Sequence, residues 1–118
     1  TLPISVDSFA GMKGGPEALV RHLQFVLWRL EALQPWQRDT IWGVLKTLAD
    51  AQGVKIKDLL APVFIAIAGT SASFSVLDSM ELLGPDMSRA RLRHAIEVLG
   101  GVSKKTMKRL EKDYQTLG

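Results

Sequence analysis

Along most of this chain apolar residues recur three and four positions apart, and the rhythm breaks at glycine and proline. Leu19, Leu23, Val26, Leu27, Leu30 and Leu33 trace one helical face, opened by Pro16 and Glu17 and closed by Pro35. A second helix is predicted from Trp36 or Gln37 to Gln52, with Ile41, Leu45, Leu48 and Ala49 inward and Gly53 as its stop. The segment 61–68 is almost uniformly apolar, and there Val63, Ile65 and Ile67 alternate as a buried strand would. Helix is the preferred reading. Asp58 suits a cap or first turn, Pro62 is tolerable early, Leu59, Leu60, Val63 and Ile67 share a face, and no other segment offers a good partner strand.

Beyond a small polar loop at 69–73 the three-four spacing resumes. Ser73 is placed to cap a helix lined by Val76, Leu77, Met80 and Leu83 and stopped by Gly84. Another starts near Pro85 or Asp86, turns Leu92, Ala95, Ile96 and Leu99 inward, and ends at Gly100 and Gly101. Ser103 caps the last, whose apolar face is Met107, Leu110, Tyr114 and Leu117. These elements predict an all-α bundle of about six short helices over residues 16–118, preceded by a lead-in segment, residues 1–15. The glycines at 11, 14 and 15 lack the order of a phosphate-binding loop, so that run is read as a linker.

With 118 residues the chain is one domain's worth, and a 47% apolar, 23% charged composition is that of a globular protein. No apolar run approaches the roughly 20 residues of a membrane-spanning helix, so no membrane partner is expected. The absence of cysteine excludes disulfides and thiolate chemistry and fits a reducing compartment. The chain opens at Thr1 without Met or a secretory pattern, and is read as a piece of something longer. Its net charge of +3 is unevenly spread. Residues 85–118 hold eight basic and four acidic side chains, a net +4, whereas the first 84 hold seven and eight, a net −1. A polyanion-binding surface is most readily built from the C-terminal third.

Catalytic chemistry is poorly supplied. His22 and His94 lie on different helices with no acid or ligand partner in a recognisable motif, Asp78 and Glu81 read as a solvated pair, and no nucleophile elbow occurs. No catalytic residue, metal ligand or cofactor is therefore assigned to these residues. Binding is better supplied. Arg89 and Arg93 share a helix face while Arg91 points elsewhere, and guanidinium forks suit both phosphates and base stacking. The loop at 69–73 can cap the next helix or present backbone N–H groups to an anion.

The order Lys57, Pro62, Ala66, Gly69, Thr70, Ser73, then Leu82-Leu83-Gly84 and Arg91-Leu92, with Trp36 and Ile41 leading the preceding helix, resembles the C-terminal anticodon-binding domain of bacterial-type glutamyl-tRNA synthetases. The resemblance covers residues 35–99, and residues 102–117 form an additional C-terminal helix. It implies the helical-cage fold of class I aminoacyl-tRNA synthetases. It also implies a cytoplasmic protein with tRNA for glutamate as partner, and a parent ligase whose ATP and magnesium chemistry lies upstream; neither class I catalytic signature occurs here. A monomer is favoured. The RNA-binding residues expected on this basis are Lys55, Lys57, Arg89, Arg93, Lys104, Lys105 and Lys108 for phosphates, Thr70, Ser71 and Ser73 for base edges, and Arg91 for stacking. Trp36 and Phe74 are the aromatic candidates for stacking beside Arg91, although a tryptophan at such a helix start is more often a core residue. The chain departs from the family pattern at Phe64, Ala68 and Phe74, where arginine, threonine and proline are common. Two alternatives stand beside this reading: the similar cage of class I lysyl-tRNA synthetase, and a protein-interaction or dimerisation module that docks its last helix on a partner.

Overall fold

A computed structural model describes residues 3–69 and 75–117. A 3-10 turn at Val6–Phe9 leads into five helices: α1 (Gly15–Glu31), α2 (Arg38–Gln52), α3 (Ile56–Ala68), α4 (Val76–Val98) and α5 (Lys104–Thr116). The all-α expectation is met. Two of the predicted helices are joined end to end as α4, with Gly84 as the break between its halves.

Helix α3 is the centre of the bundle and packs against α1, α2 and α4. Every residue from Leu59 to Ala68 is buried or half-buried, and Leu59, Val63 and Ile67 are fully so. A helix enclosed on all sides needs no polar face, so its sequence loses the three-four signature and reads ambiguously as strand. Leu23, Phe25, Val26 and Leu30 from α1, Ile41, Leu45 and Leu48 from α2, and Met80 and Leu92 from α4 are the other large side chains buried to the same degree. Each such side chain contributes about 1.5–3 kcal/mol by leaving water.

Local chemistry sets the helix ends. Gly14 has φ +88°, and a Cβ there would lie 2.5 Å from that of Ala18, so only glycine admits the turn into α1. The cap expected from Ser73 is supplied two residues later: the Ser75 side chain accepts from the Asp78 N–H at 3.3 Å. Residues 70–74, Ser73 among them, lie outside the described part. Ser103 caps α5 as expected, accepting from the Thr106 N–H at 3.2 Å.

The break in α4 has a specific construction. Gly84 adopts φ 85°, ψ 169°, a conformation essentially reserved for glycine, and Pro85 restarts the helix. One turn before the break, the Met80 carbonyl accepts from Trp36 Nε1 at 2.9 Å and from Ser88 Oγ at 3.3 Å. Ser88 is wholly buried, and this bond both satisfies its hydroxyl and ties the second half of α4 back to the first. The Glu81 carboxylate accepts from the Arg38 N–H at 2.8 Å, placing an anion at the start of α2, and Asp78 pairs with the Arg38 guanidinium at 3.3 Å. The two carboxylates read as merely solvated therefore join α4 to α2.

Helix α5 rests on α1 by its apolar side. Leu110 is buried, and the Tyr114 ring lies 5.3 Å from Phe25 and 5.0 Å from Trp28, centroid to centroid. The Tyr114 hydroxyl accepts from Arg29 Nε at 3.0 Å, and Arg21 pairs with Asp113 at 2.9 Å. Of the predicted apolar face, Leu110 is thus buried within the chain and Met107, Tyr114 and Leu117 are half-buried.

Candidate nucleic-acid interface

The cationic residues expected to bind RNA are three arginines on α4, two lysines at the start of α3 and three lysines on α5. At the C-terminal end of α3, Arg91 is half-buried and its Nη1 donates to the Ile67 carbonyl, a group left without a donor where the helix stops. Its charge also suits that end of the helix dipole. Arg91 follows α3 in this way because it points away from Arg89 and Arg93, as its helical phase predicts. Arg89 pairs with Asp86 of its own helix at 2.8 Å, and Arg93 reaches Glu31 of α1 at 3.6 Å. The three arginines are therefore divided among three environments. The Arg93–Glu31 pair lies at the surface, where such contacts contribute about 0–1 kcal/mol, whereas Arg89 is half-buried and meets an Asp86 carboxylate that is almost fully exposed. Thr70, Ser71, Ser73 and Phe74 fall outside the described residues.

At the other end of α3, about 20 Å away by its 13 residues, Lys55 and Lys57 are exposed. Lys13, from the linker ahead of α1, joins them around a cleft of about 410 Å³ that also includes Asp58. Sequence reasoning did not single out Lys13, because nothing local connects a glycine-flanked lysine to a helix more than 40 positions on. On the outer side of α5, Lys104, Lys105 and Lys108 are exposed.

Trp36 is half-buried and commits its single donor to Met80, so it packs α2 against the break in α4. Its core alternative describes its position. The tryptophan with an open face is Trp42, 39% exposed and beside a cleft shared with Arg38, Asp39 and Leu77. Its signal in sequence was being out of phase with Ile41, Leu45 and Leu48. Leu82, at 89% exposure, stands out from the α4 break. Phe64, at a departure from the family pattern, is half-buried and packs on the core.

His22 is half-buried beside Gln52, and neither His22 Nδ1 nor Gln52 Nε2 has a hydrogen-bond partner of good geometry. Burial holds the His22 pKa below its ordinary 6.5; Gln52 and Asp58 oppose the shift and Arg21 adds to it. No group of three or more His, Cys, Asp or Glu is placed to hold a metal among the described residues. No described helix is long and apolar enough to cross a membrane.

The described cations thus lie at both ends of the central helix and along α5, with Arg91 already engaged by the Ile67 carbonyl. The family model described as an anticodon binding domain matches residues 1–96, and the chain belongs to that family. The match takes in the lead-in segment as well as residues 35–96 of the stretch 35–99. Among curated proteins, the chain is similar to the glutamate–tRNA ligase of Cellvibrio japonicus, 57% identical over 116 residues, which are 98% of this chain and 23% of that protein. It is 59% identical over 114 residues to that of Alcanivorax borkumensis, covering 97% of this chain and 23% of the relative. With that of Saccharophagus degradans the figures are 55% over 117 residues, 99% and 23%. The chain thus spans about a quarter of the length of these relatives, and these alignments run on through α5.

Proposed function

We propose that this chain is the C-terminal, anticodon-loop-binding part of a glutamate–tRNA ligase, and that it acts by binding and positioning tRNA for glutamate. The observation that carries the reading is the anticodon-binding family match over residues 1–96 on an all-helical bundle, joined by identities above 50% to glutamate–tRNA ligases. Those relatives favour glutamate over the lysine alternative. Ligation of glutamate with ATP and magnesium is assigned to the remaining three-quarters of a longer cytoplasmic protein.

In this role Arg89 and Arg93 exchange their surface carboxylates for loop phosphates, and Lys55, Lys57, Lys104, Lys105 and Lys108 supply further cations. Thr70, Ser71 and Ser73 read base edges and Phe74 offers a stacking face, beside the α3 terminus that Arg91 secures. Trp36 contributes by holding α2 against α4. The half-buried Phe64 stands where the family commonly has arginine, so no anticodon contact is assigned there.

Against the dimerisation alternative, Leu110 of α5 is buried and Tyr114 packs on Phe25 and Trp28 within the chain. Fluorescence anisotropy with labelled tRNA tests the proposal. Affinity for tRNA for glutamate should exceed that for a tRNA of unrelated anticodon and fall with salt, log K losing about 0.7–0.9 per log unit of salt for each phosphate contact. Absence of binding, or equal affinity for both tRNAs at every salt concentration, would overturn it.

A further inference from the structure

We propose that Lys13, Lys55 and Lys57 form a second RNA subsite that holds backbone phosphates, remote from the end of α3 where bases are read; this rests on the tRNA-binding reading above. Lys13 and Lys55 line two adjoining clefts, of about 410 and 380 Å³, and Lys57 lines the first. One carboxylate lines them, that of Asp58, only 27% exposed, and its approach to Lys13 is 3.9 Å, the outer limit of an ion pair. Three ammonium groups against one loosely engaged carboxylate leave a net charge of +2. His22 borders the second cleft and is kept neutral near pH 7 by burial, so the charge belongs to the lysines.

The chemistry selects phosphate and leaves the bases unread. Lysine offers a compact point charge on a flexible stem, without the planar fork that recognises a base edge. No tryptophan, tyrosine or phenylalanine lines either cleft, so stacking is not provided. An RNA arm whose loop meets the C-terminal end of α3 has its stem some 20 Å away to offer, which is the length of that helix. Two sites at that separation orient the arm as well as attract it.

The test compares the 118-residue chain with the variant Lys13→Ala/Lys55→Ala/Lys57→Ala. All three side chains are exposed, so an unchanged melting curve confirms folding. The variant should weaken binding to tRNA for glutamate and to an unrelated tRNA by the same factor, and lower the salt slope by about one unit per lysine engaged. A Lys→Arg triple variant should retain both. If the unaltered chain binds and the alanine variant keeps its affinity and slope, the subsite is wrong while the tRNA reading stands. If the unaltered chain binds no tRNA, the tRNA reading has failed first. Weakening confined to tRNA for glutamate would assign the lysines to sequence reading and also overturn the subsite.

Discussion

Replacing Arg91 with alanine should destabilise the bundle before it affects any RNA. The side chain is half-buried, carries a full charge, and donates to the Ile67 carbonyl at the end of the central helix. A hydrogen bond to a charged group contributes about 1.5–3 kcal/mol, and a cation at a helix C-terminus adds about 0.3–1 kcal/mol. Since alanine admits some water to the freed carbonyl, a net loss of about 2 kcal/mol is expected. At this chain length each kcal/mol moves Tm by roughly 3–6 °C, so Arg91→Ala should melt about 6–12 °C lower, followed by helical circular dichroism. Urea unfolding should show a lower midpoint at unchanged slope, because the surface exposed on unfolding is the same. Arg93→Ala is the control. It breaks an exposed 3.6 Å pair with Glu31 and should cost less than about 1 kcal/mol. If Arg91→Ala melts with the Arg93 variant and differs from it only in tRNA affinity, the side chain serves RNA alone and the capping argument fails.

Gly84→Ala should cost about 1–3 kcal/mol, because the added Cβ meets no atom within 4 Å and the penalty is that of holding φ 85°, ψ 169°. An unchanged Tm would mean that α4 can straighten and release the Ser88 bond without loss. Acidification should weaken the fold through His22. Its folded pKa lies below the unfolded 6.5, so its contribution is complete above 6.5 and is lost as pH falls through that value toward the folded one. Melting curves at about pH 7.5 and about pH 5 should therefore separate less for His22→Gln than for the unaltered chain, and equal separations would refute the assignment.

Much of the architecture is legible locally. Helical periodicity, Pro16 near the start of α1, Gly53 after α2 and Ser103 before α5 depend on residues within one or two turns, so sequence patterns carry them. Even the ambiguous apolar segment is explained by the same physics, since burial on every side removes the polar half of the pattern. The cap on α4 shows the limit. Ser73 and Ser75 both suit an N-cap by type, and the hydroxyl that meets Asp78 is decided by where the backbone turns.

What the sequence by itself determined about this protein is therefore its helices, its breaks, most of its core, and the concentration of basic residues in its last third. The tertiary structure decided how each polar group is used. Arg91 meets Ile67 across 24 positions, Trp36 meets Met80 across 44, and Glu81 reaches the start of α2 across 43. Lys13 comes beside Lys55 and Lys57 only when the linker folds against α3. Such pairings depend on how the helices pack, while local patterning constrains only each helix and its ends. That is why the same reading could identify the arginines as chemically apt and leave open which of them faces a carbonyl and which is free to meet a phosphate.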